Sequence, residues 1–212
     1  MKQTDLNKLL DGLVKLEAQR RGWKFSRGFV FQHSDPLFFC VMLFAHKQSR
    51  NFHCSFQYKW YDFDTLFWKI VGMEENASQP LSFHAAGAWT APMTEISVVN
   101  EDLESFDSEI LLREVMSAFN RIEKSRDQLI GQLRTLEDNL EFIRQTQRQH
   151  LESFPNSVRD TYVQEVLNTI LETKRVRALR LCEERIAARD SGGFGMGSET
   201  FFTLAKKWIL EH

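Results

Sequence analysis

Apolar residues recur every three or four positions near the start of the chain, a spacing that predicts an amphipathic helix. Thr4 or Asp5 can cap the start of this helix. Gly22 can end it directly after the basic pair Arg20 and Arg21, which suits the negative end of a helix dipole. The apolar positions of this helix are Leu6, Leu9, Leu10, Leu13, Val14 and Leu16.

The period of the apolar positions then changes to two, as in β-strands. Aromatic residues alternate with polar ones in WKFSRGFVF at residues 23–31 and in FHCSFQYKW at residues 52–60. Residues 37–45 are apolar on both faces, which favours a strand in a sheet that is covered on both sides. Two further strands are predicted at residues 81–91 and 95–99. The sequence therefore predicts a largely antiparallel meander sheet of about five strands with flanking helices.

A turn at residues 47–51 would set the register between the two long strands that flank it. In the simplest pairing, Cys54 then lies opposite Phe44. His46 falls on the face of Cys54 and His53 on the other face, because successive side chains of a strand alternate. This register predicts no shared metal site for the two histidines.

From residue 107 onward, the pattern becomes helical. Its apolar positions follow a 4-3 spacing that is typical of a coiled-coil seam. These positions are Val115, Phe119, Ile122, Leu129, Leu133, Leu136, Leu140 and Ile143. Pro155 and Asn156 interrupt the pattern, and a second helix is predicted over residues 158–189. Two long helices joined by a short turn pack as an antiparallel hairpin.

The order of these elements predicts an α+β fold. We expect a sheet domain at residues 1–105 and a long antiparallel helical hairpin at residues 106–190. A glycine hinge and a short C-terminal helix follow at residues 191–212. Residues 210–212, Leu-Glu-His, resemble the start of a purification tag.

The first helix of the predicted hairpin is longer than the second, so part of its apolar seam would lack cover. Leu136, Leu140 and Ile143 would then be exposed, and exposed apolar patches of several hundred Å² usually mark a contact. A symmetric homodimer is the commonest solution. The alternative is that the helix breaks near Gly131 and folds back on the sheet, which would bury the same residues within one chain.

Four glycines lie within residues 192–197, in the segment DSGGFGMGSETFFTL. Their spacing approaches that of a phosphate-binding loop, but Ser198 occupies the position of the required lysine, and the preceding segment is helical rather than extended. We therefore expect a flexible link, followed by a last helix that Ser198 caps.

The composition excludes several classes of protein. The formal net charge is −2, so no global positive field attracts nucleic acid or acidic membranes. No stretch approaches the roughly 18 apolar residues of a membrane span. Cys40, Cys54 and Cys182 are too few and too widely spaced for a disulfide framework or a zinc site. Free buried thiols are typical of a cytoplasmic protein.

No coherent catalytic set and no cofactor motif is present. The trio at residues 33–35, His-Ser-Asp, lies in one tight turn, where a catalytic triad cannot align. Neither a GxSxG elbow nor an HExxH motif occurs. The best candidate for ligand binding is a polar stripe on the sheet, and its alternative is a solvated sheet face. The stripe consists of His53, Gln57, Lys59, His84 and Trp89.

A basic run, TKRVRALRLCEERIAAR, covers residues 173–189. Its candidate phosphate or nucleic-acid ligands are Lys174, Arg175, Arg177 and Arg180. These cations are spread around the predicted helix, and no aromatic side chain is interleaved with them, which argues against a platform for single strands. Salt bridges with acidic residues of the facing helix are the favoured account.

The first hundred residues resemble an uncharacterised bacterial family, a domain of unknown function. The resemblance lies in the order of elements: a leading helix, GWKFSRGFVFQ, an apolar strand and FHCSFQYKW. It covers less than half of the chain and includes no catalytic motif. It implies a bacterial cytoplasmic α+β domain, and it implies no activity.

These observations favour a non-enzymatic protein-binding or regulatory module without a metal or other cofactor. Its expected partner is another protein or a second copy of the chain, and neither a membrane nor nucleic acid is expected as a partner. The first alternative is an enzyme or small-ligand binder that uses the polar stripe. The second is association with nucleic acid through residues 173–189.

Overall fold

The computed structural model describes residues 2–87, 89–153 and 161–212. The described residues divide into two compact units. Within these limits, the first unit takes its residues from 1–58, 81–87 and 95–131, and the second from 59–80, 88–94 and 132–212. The predicted α+β class is confirmed.

A five-stranded antiparallel sheet forms the centre of the first unit. Each strand pairs with its neighbour in the sequence, so the predicted meander is confirmed. The strands are β1 (Lys24–Ser26), β2 (Phe29–Ser34), β3 (Leu37–His46), β4 (Asn51–Trp60) and β5 (Thr94–Asp102). A separate pair of short strands is formed by β6 (Gly195–Met196) and β7 (Glu199–Thr200).

Helices flank the sheet in the first unit and make up most of the second. The described helices are α1 (Gln3–Arg20), α2 (Asp62–Val71), α3 (Phe83–Ala86), α4 (Ser108–Gln132), α5 (Leu136–Ser153), α6 (Thr161–Leu171), α7 (Arg175–Ala187) and α8 (Phe201–Glu211). A short 3-10 helix, Glu74–Ser78, follows α2. In the first unit α1 packs against β3, and in the second α2 packs against α8.

The five strands arise differently from the prediction at two places. Residues 23–31 form two strands rather than one, because Arg27 and Gly28 both take positive φ angles, 52° and 82°, in a tight hairpin turn. The strand predicted at residues 81–91 is wrong, since α3 occupies part of that range. The following strand, β5, is longer than predicted.

The register between β3 and β4 also differs from the prediction. The turn that joins these strands covers residues 47–50, one residue fewer than predicted. A shift of one residue moves every side chain of a strand to the opposite face. His53 therefore stacks on Phe44, with ring centroids 4.2 Å apart. His46 contacts the same ring at 5.1 Å, so the two histidines share a face.

The two faces of the sheet differ in how far other elements bury them. On the inner face, Phe39 stacks on Phe56 at 5.8 Å, and both rings are fully buried. Helices α1 and α4 lie over this face: Gln3 of α1 donates to the carbonyl of Ala45, and Phe119 of α4 meets the edge of Trp23 at 6.4 Å. The outer face carries Phe44 and the two histidines.

A charged network joins α1 to α4 in the first unit. The Glu17 carboxylate accepts hydrogen bonds from Arg20 at 2.8 Å and from Arg21 at 2.6 Å. Arg21 also bonds Glu123 at 2.5 Å and lies over the ring of Phe119. The hydrogen bond from Arg20, with that from Arg21 and the charge of both arginines, lowers the pKa of Glu17 to about 2 against the opposing effect of burial.

This lowered pKa predicts a specific acid sensitivity. The ordinary pKa of Glu17 is 4.5, so its ionised form stabilises the fold above that pH. The contribution is lost as the pH falls from 4.5 toward 2. In denaturant titrations, Glu17→Gln should lower stability at neutral pH and flatten the pH dependence in this window. Glu109→Gln, at an exposed position of α4, is the control, and an identical acid profile for Glu17→Gln and wild type would contradict the assignment.

The helical part of the chain contains more breaks than the predicted hairpin of two helices. The first break lies between α4 and α5, where Thr135 and Asp138 form a capping box at the start of α5. The Asp138 amide donates a hydrogen bond to Thr135 Oγ1 at 3.1 Å, and the Thr135 amide donates one to the Asp138 carboxylate at 3.0 Å. The second lies between α6 and α7, where Thr173 takes a φ of 60°. The turn predicted at Pro155 and Asn156 lies outside the described residues.

The break at Thr135 corrects the expected self-association surface. Leu140 and Ile143 are 4% and 1% exposed within a single chain, and Leu136 is half-buried. Their helix, α5, packs against α6, where Asn139 donates to Asn168 at 2.7 Å. The expected exposure of this seam is therefore wrong. The alternative of burial within one chain is the arrangement found, although α6 rather than the sheet supplies the cover.

The glycine-rich segment carries structure of its own. Strands β6 and β7 pair across Gly197 and Ser198. The predicted cap, Ser198, is wrong: the last helix is capped by Thr200, which accepts a hydrogen bond from the Thr203 amide. Phe194 is buried and meets the edge of Phe67 at 5.6 Å. This packing argues against the flexible link that the glycine content suggests.

Gly192 combines a backbone conformation that favours glycine with a close neighbouring side chain. Its φ is 66°, and an added Cβ would lie 2.7 Å from the Cγ2 of Val163. We expect Gly192→Ala to lower the free energy of unfolding by about 1–3 kcal/mol in chemical denaturation. Gly195→Ala, where a Cβ meets nothing within 4 Å, should stay close to wild type. Equal stability of the two variants would show that Gly192 is not confined by its neighbours.

Candidate functional site

The predicted polar stripe does not form one site in the first unit. His53 lies beside Phe44 on the outer face, whereas His84 is buried next to Phe38, with ring centroids 5.7 Å apart. Phe38 and Phe44 are separated along β3 by about 20 Å at ~3.3 Å per residue. Gln57 donates to Ser55 at 3.3 Å within the same strand. The two histidines therefore cannot line a common pocket.

Lys59, a further member of the stripe, lies in a fully buried ion pair in the second unit. Its Nζ is 2.6 Å from the Oδ2 of Asp64, and neither side chain is exposed. Both side chains also form hydrogen bonds with the backbone of Ala91. Lys59 donates to the Ala91 carbonyl at 3.3 Å, and the Ala91 amide donates to the Asp64 carboxylate at 2.7 Å. Lys59 is thus committed to the structure rather than presented to a ligand.

The segment around Ala91 is fixed at further points in the second unit. Trp68 donates from its indole nitrogen to the carbonyl of Trp89 at 2.7 Å. Gln164 donates to the Pro92 carbonyl at 2.7 Å and accepts from the Thr94 hydroxyl at 2.6 Å. These bonds satisfy the polar groups of a buried loop. Trp89, which was also predicted as a ligand contact, is 45% exposed and meets the edge of Phe194 at 4.8 Å.

Removal of the buried lysine tests this structural role. Lys59→Met leaves the Asp64 carboxylate buried without its cation, which should lower the free energy of unfolding by about 3–5 kcal/mol. Lys69→Met removes the same charge from an exposed position of α2 and should change stability by less than about 0.5 kcal/mol. The free energy of unfolding of both variants is measured by guanidinium titration. A change in Lys59→Met as small as that in Lys69→Met would contradict the role.

The exposed end of the outer face is the strongest candidate site, and we call it the outer patch. Two large apolar side chains are exposed there: Phe44 is 38% and Val98 is 41% accessible. Asn100 of β5 meets His53 of β4 across the strands, with 2.7 Å between Oδ1 and Nδ1. Since alternate residues of a strand share a face, Val98 lies on the face of Asn100. The outer patch consists of Phe44, His46, His53, Val98 and Asn100.

The ring of Phe44 is held in place from two directions. His53 stacks on it at 4.2 Å with 25° between the ring planes, and His46 meets it edge-on with 77° between the planes. The Asn100 contact in turn orients the imidazole of His53. The outer patch therefore presents an exposed aromatic ring in a fixed geometry, flanked by polar groups that can donate or accept hydrogen bonds.

An open groove of about 940 Å³ adjoins the outer patch. It is lined by Gln3, Asn7 and residues 44–49. The side chain of Gln3 connects α1 to the end of β3. Its amide nitrogen donates hydrogen bonds to the side chain of Asn7 and to the Ala45 carbonyl, both at 2.7 Å. Its amide oxygen accepts a hydrogen bond from the backbone amide of Lys47 at 2.9 Å. The side chain of Gln3 is thus engaged within the protein rather than directed at a ligand.

The predicted phosphate ligands in the second unit have partners within that unit. Lys174 pairs with Glu172 at 2.8 Å, and Arg180 pairs with Glu184 at 2.9 Å. Arg177 lies 3.9 Å from Glu165, and Arg175 donates to the carbonyl of Ile209. Salt bridges with acidic residues of the facing helix are the favoured prediction for this run, but the carboxylate partners in these pairs, Glu165, Glu172 and Glu184, lie within the predicted second helix itself.

Two of the buried thiols are held in their protonated form, and the described residues contain no cluster of metal ligands. Burial raises the pKa of Cys54 and that of Cys182 to about 12, so neither thiol is an effective nucleophile at neutral pH. Among residues 2–87, 89–153 and 161–212, no group of three or more His, Cys, Asp or Glu side chains could hold a metal ion. No helix of these residues is long and apolar enough to cross a membrane.

Comparisons with known proteins give no family for this chain. No protein-family model matches it, and no curated protein and no solved structure shows significant similarity to it. The resemblance of the first hundred residues to the bacterial domain therefore stays a prediction.

The sequence prediction included His53 but missed the other members of the outer patch. Phe44 belongs to a run that is apolar on both faces, so the sequence pattern does not indicate that side chains at the end of this strand are exposed to solvent. Val98 and Asn100 lie in TEISVVNED, whose alternation with acidic residues could have indicated a half-exposed edge strand.

Proposed function

We propose that this protein is a non-enzymatic binding module of the cytoplasm whose outer patch contacts a partner protein. The observation that carries the proposal is the exposure of Phe44 and Val98 on one face, beside the imidazole of His53 and the amide of Asn100. Protein interfaces combine such aromatic anchors with a polar rim. The buried free thiols of the described chain fit a reducing compartment.

The fixed geometry of Phe44 favours binding. Association has to offset the entropy that side chains lose when they become ordered at an interface. The ring of Phe44 is already restrained by two neighbouring imidazoles, so less entropy is lost when a partner contacts it. Aromatic residues of this kind often supply most of the binding energy of an interface.

A small ligand in the adjoining groove is the second candidate. The volume of about 940 Å³ lies within the range of known ligand pockets. Such pockets, however, rely on a few polar groups that converge on the ligand. In this groove Gln3 uses its donor and its acceptor on Asn7, Ala45 and Lys47. The outer patch therefore supports a protein partner better than the groove supports a small molecule.

Replacement of Phe44 tests the proposal. Immobilised wild type is incubated with extract of its native cell, and the retained proteins are quantified. Phe44→Ser should weaken retention of a specific protein at least about tenfold, as truncation of an aromatic anchor does. Leu16→Ser, which removes a leucine that is 68% exposed on α1, should retain the same protein as wild type does.

Circular dichroism has to show that both variants are folded. If no retained protein distinguishes Phe44→Ser from Leu16→Ser, the outer patch is not a binding surface. If instead a low-molecular-weight compound in the extract protects wild type but not Phe44→Ser against thermal unfolding, the small-ligand function replaces the proposed one.

A further inference from the structure

We infer that the partner of the outer patch places a glutamate or aspartate side chain in the groove beside Phe44, where Lys47 is the counter-ion of that carboxylate. This inference rests on the proposed function, since it names the chemistry of the partner that Phe44 contacts. Phe44 and His46 belong to the outer patch and also line the groove. A partner that contacts the exposed ring therefore also reaches the groove.

The hydrogen-bonding groups that α1 contributes to the groove leave donors for a partner. Gln3 uses both of its amide hydrogens within the protein, on the Asn7 oxygen and on the Ala45 carbonyl. The oxygen of Asn7 is therefore engaged, whereas its side-chain nitrogen keeps two hydrogens. No acceptor for that nitrogen is found among the described residues. A partner group that accepts hydrogen bonds fits this side of the groove.

The charge of the groove also favours an acceptor. Among the described residues that line it, Lys47 carries a positive charge and none is an aspartate or a glutamate. The Lys47 side chain is exposed, and no carboxylate of the described residues forms an ion pair with it. A carboxylate accepts hydrogen bonds through both oxygens and pairs with an ammonium group, so it satisfies Lys47 and Asn7 together.

The charges on the elements that border the groove leave Lys47 as the available cation. The first turns of α1 and the residue before them are neutral overall. They carry two lysines and two aspartates, Lys2, Lys8, Asp5 and Asp11. The turn at residues 47–50 contains Lys47 and Arg50 and no acidic residue. Arg50 lies beside the acidic end of β5, because its carbonyl accepts from the Leu103 amide.

Phe44 and Lys47 together define the kind of segment that fits. The ring of Phe44, which is 38% exposed, takes an apolar side chain, and Lys47 takes a neighbouring carboxylate. The groove, with a volume of about 940 Å³, has room for a short stretch of chain. A charged contact at the rim of an apolar one contributes to specificity. The partner segment is therefore acidic and carries an apolar residue next to its carboxylate.

Two peptides that differ in charge alone test the carboxylate. The probe is a capped seven-residue peptide with Glu-Leu-Glu at its centre and glycine on both sides, and the control has Gln-Leu-Gln. NMR titration of the full chain should give a dissociation constant below about 5 mM for the glutamate peptide, at least about threefold lower than for the glutamine peptide. This difference should shrink between about 20 mM and about 300 mM salt, because salt screens exposed charges. Equal binding of the two peptides at low salt, or no binding of either, would overturn the inference.

Substitutions of Lys47 test the counter-ion. Lys47→Gln removes the charge and keeps the backbone amide that binds Gln3. It should weaken binding of the glutamate peptide about threefold and leave binding of the glutamine peptide unchanged. Lys47→Arg should bind both peptides as wild type does. Lys24→Gln, which removes an exposed lysine from β1, is the matched control, and equal effects of Lys47→Gln and Lys24→Gln would show that Lys47 is not the counter-ion.

The same spectra show where the peptide binds. The backbone amides of residues 44–49 and the side-chain amide of Asn7 should shift as the glutamate peptide is added. Binding that leaves these signals in place would contradict the assignment. So would tighter binding of an uncapped Gln-Leu-Gln peptide, which would assign the groove to a chain terminus. Self-association of wild type that Lys47→Gln abolishes would identify a second copy as the occupant and likewise overturn the inference.

These outcomes are distinguishable from failure of the proposed function. A cellular protein that is lost in Phe44→Ser but retained equally by Lys47→Gln and wild type supports the outer patch and refutes the acidic contact. A glutamate peptide that shifts residues 44–49 and depends on Lys47, with no cellular protein dependent on Phe44, supports the carboxylate site and refutes the proposed function.

Discussion

The register between β3 and β4 is the constraint on which the candidate site depends. The turn at residues 47–50 joins the two strands, with Arg50 at a φ of 50°. This length places His53 against Phe44 and on the same face as His46. One additional residue in the turn would move His53 to the inner face among the buried rings. The outer patch thus exists because of a single turn.

The second unit depends on polar contacts of another kind. Lys59 and Asp64 are removed from water together, and the Ala91 peptide satisfies part of the hydrogen bonding of each. A buried pair of this type does not by itself add much stability, but loss of either partner leaves an uncompensated charge. Its structural consequence is that the loop before β5 has one defined position within that unit. We therefore expect the pair to contribute more to conformational specificity than to stability.

The sequence predicted the α+β class and the meander sheet because alternation and helical spacing are strong local signals. It failed where one residue decides the geometry: Arg27 and Gly28 divide a strand, and the turn before Asn51 sets a register that periodicity alone cannot fix. The break at Thr135 had a readable signal in TLED, a capping-box pattern. The exposure of Phe44 had none, since burial depends on packing between distant segments. The ion pair of Lys59 with Asp64 was likewise hidden, because lysine at an alternating polar position is usually solvated.

Photo-crosslinking in the native cell shows whether the outer patch contacts another protein. Benzoylphenylalanine replaces Phe44 in one version of the chain and the exposed Leu16 in another. A discrete cross-linked protein is expected at position 44 and should be absent at position 16. If the same products form at both positions, or if none forms at position 44 while the chain is folded and abundant, the outer patch is not a protein-binding surface.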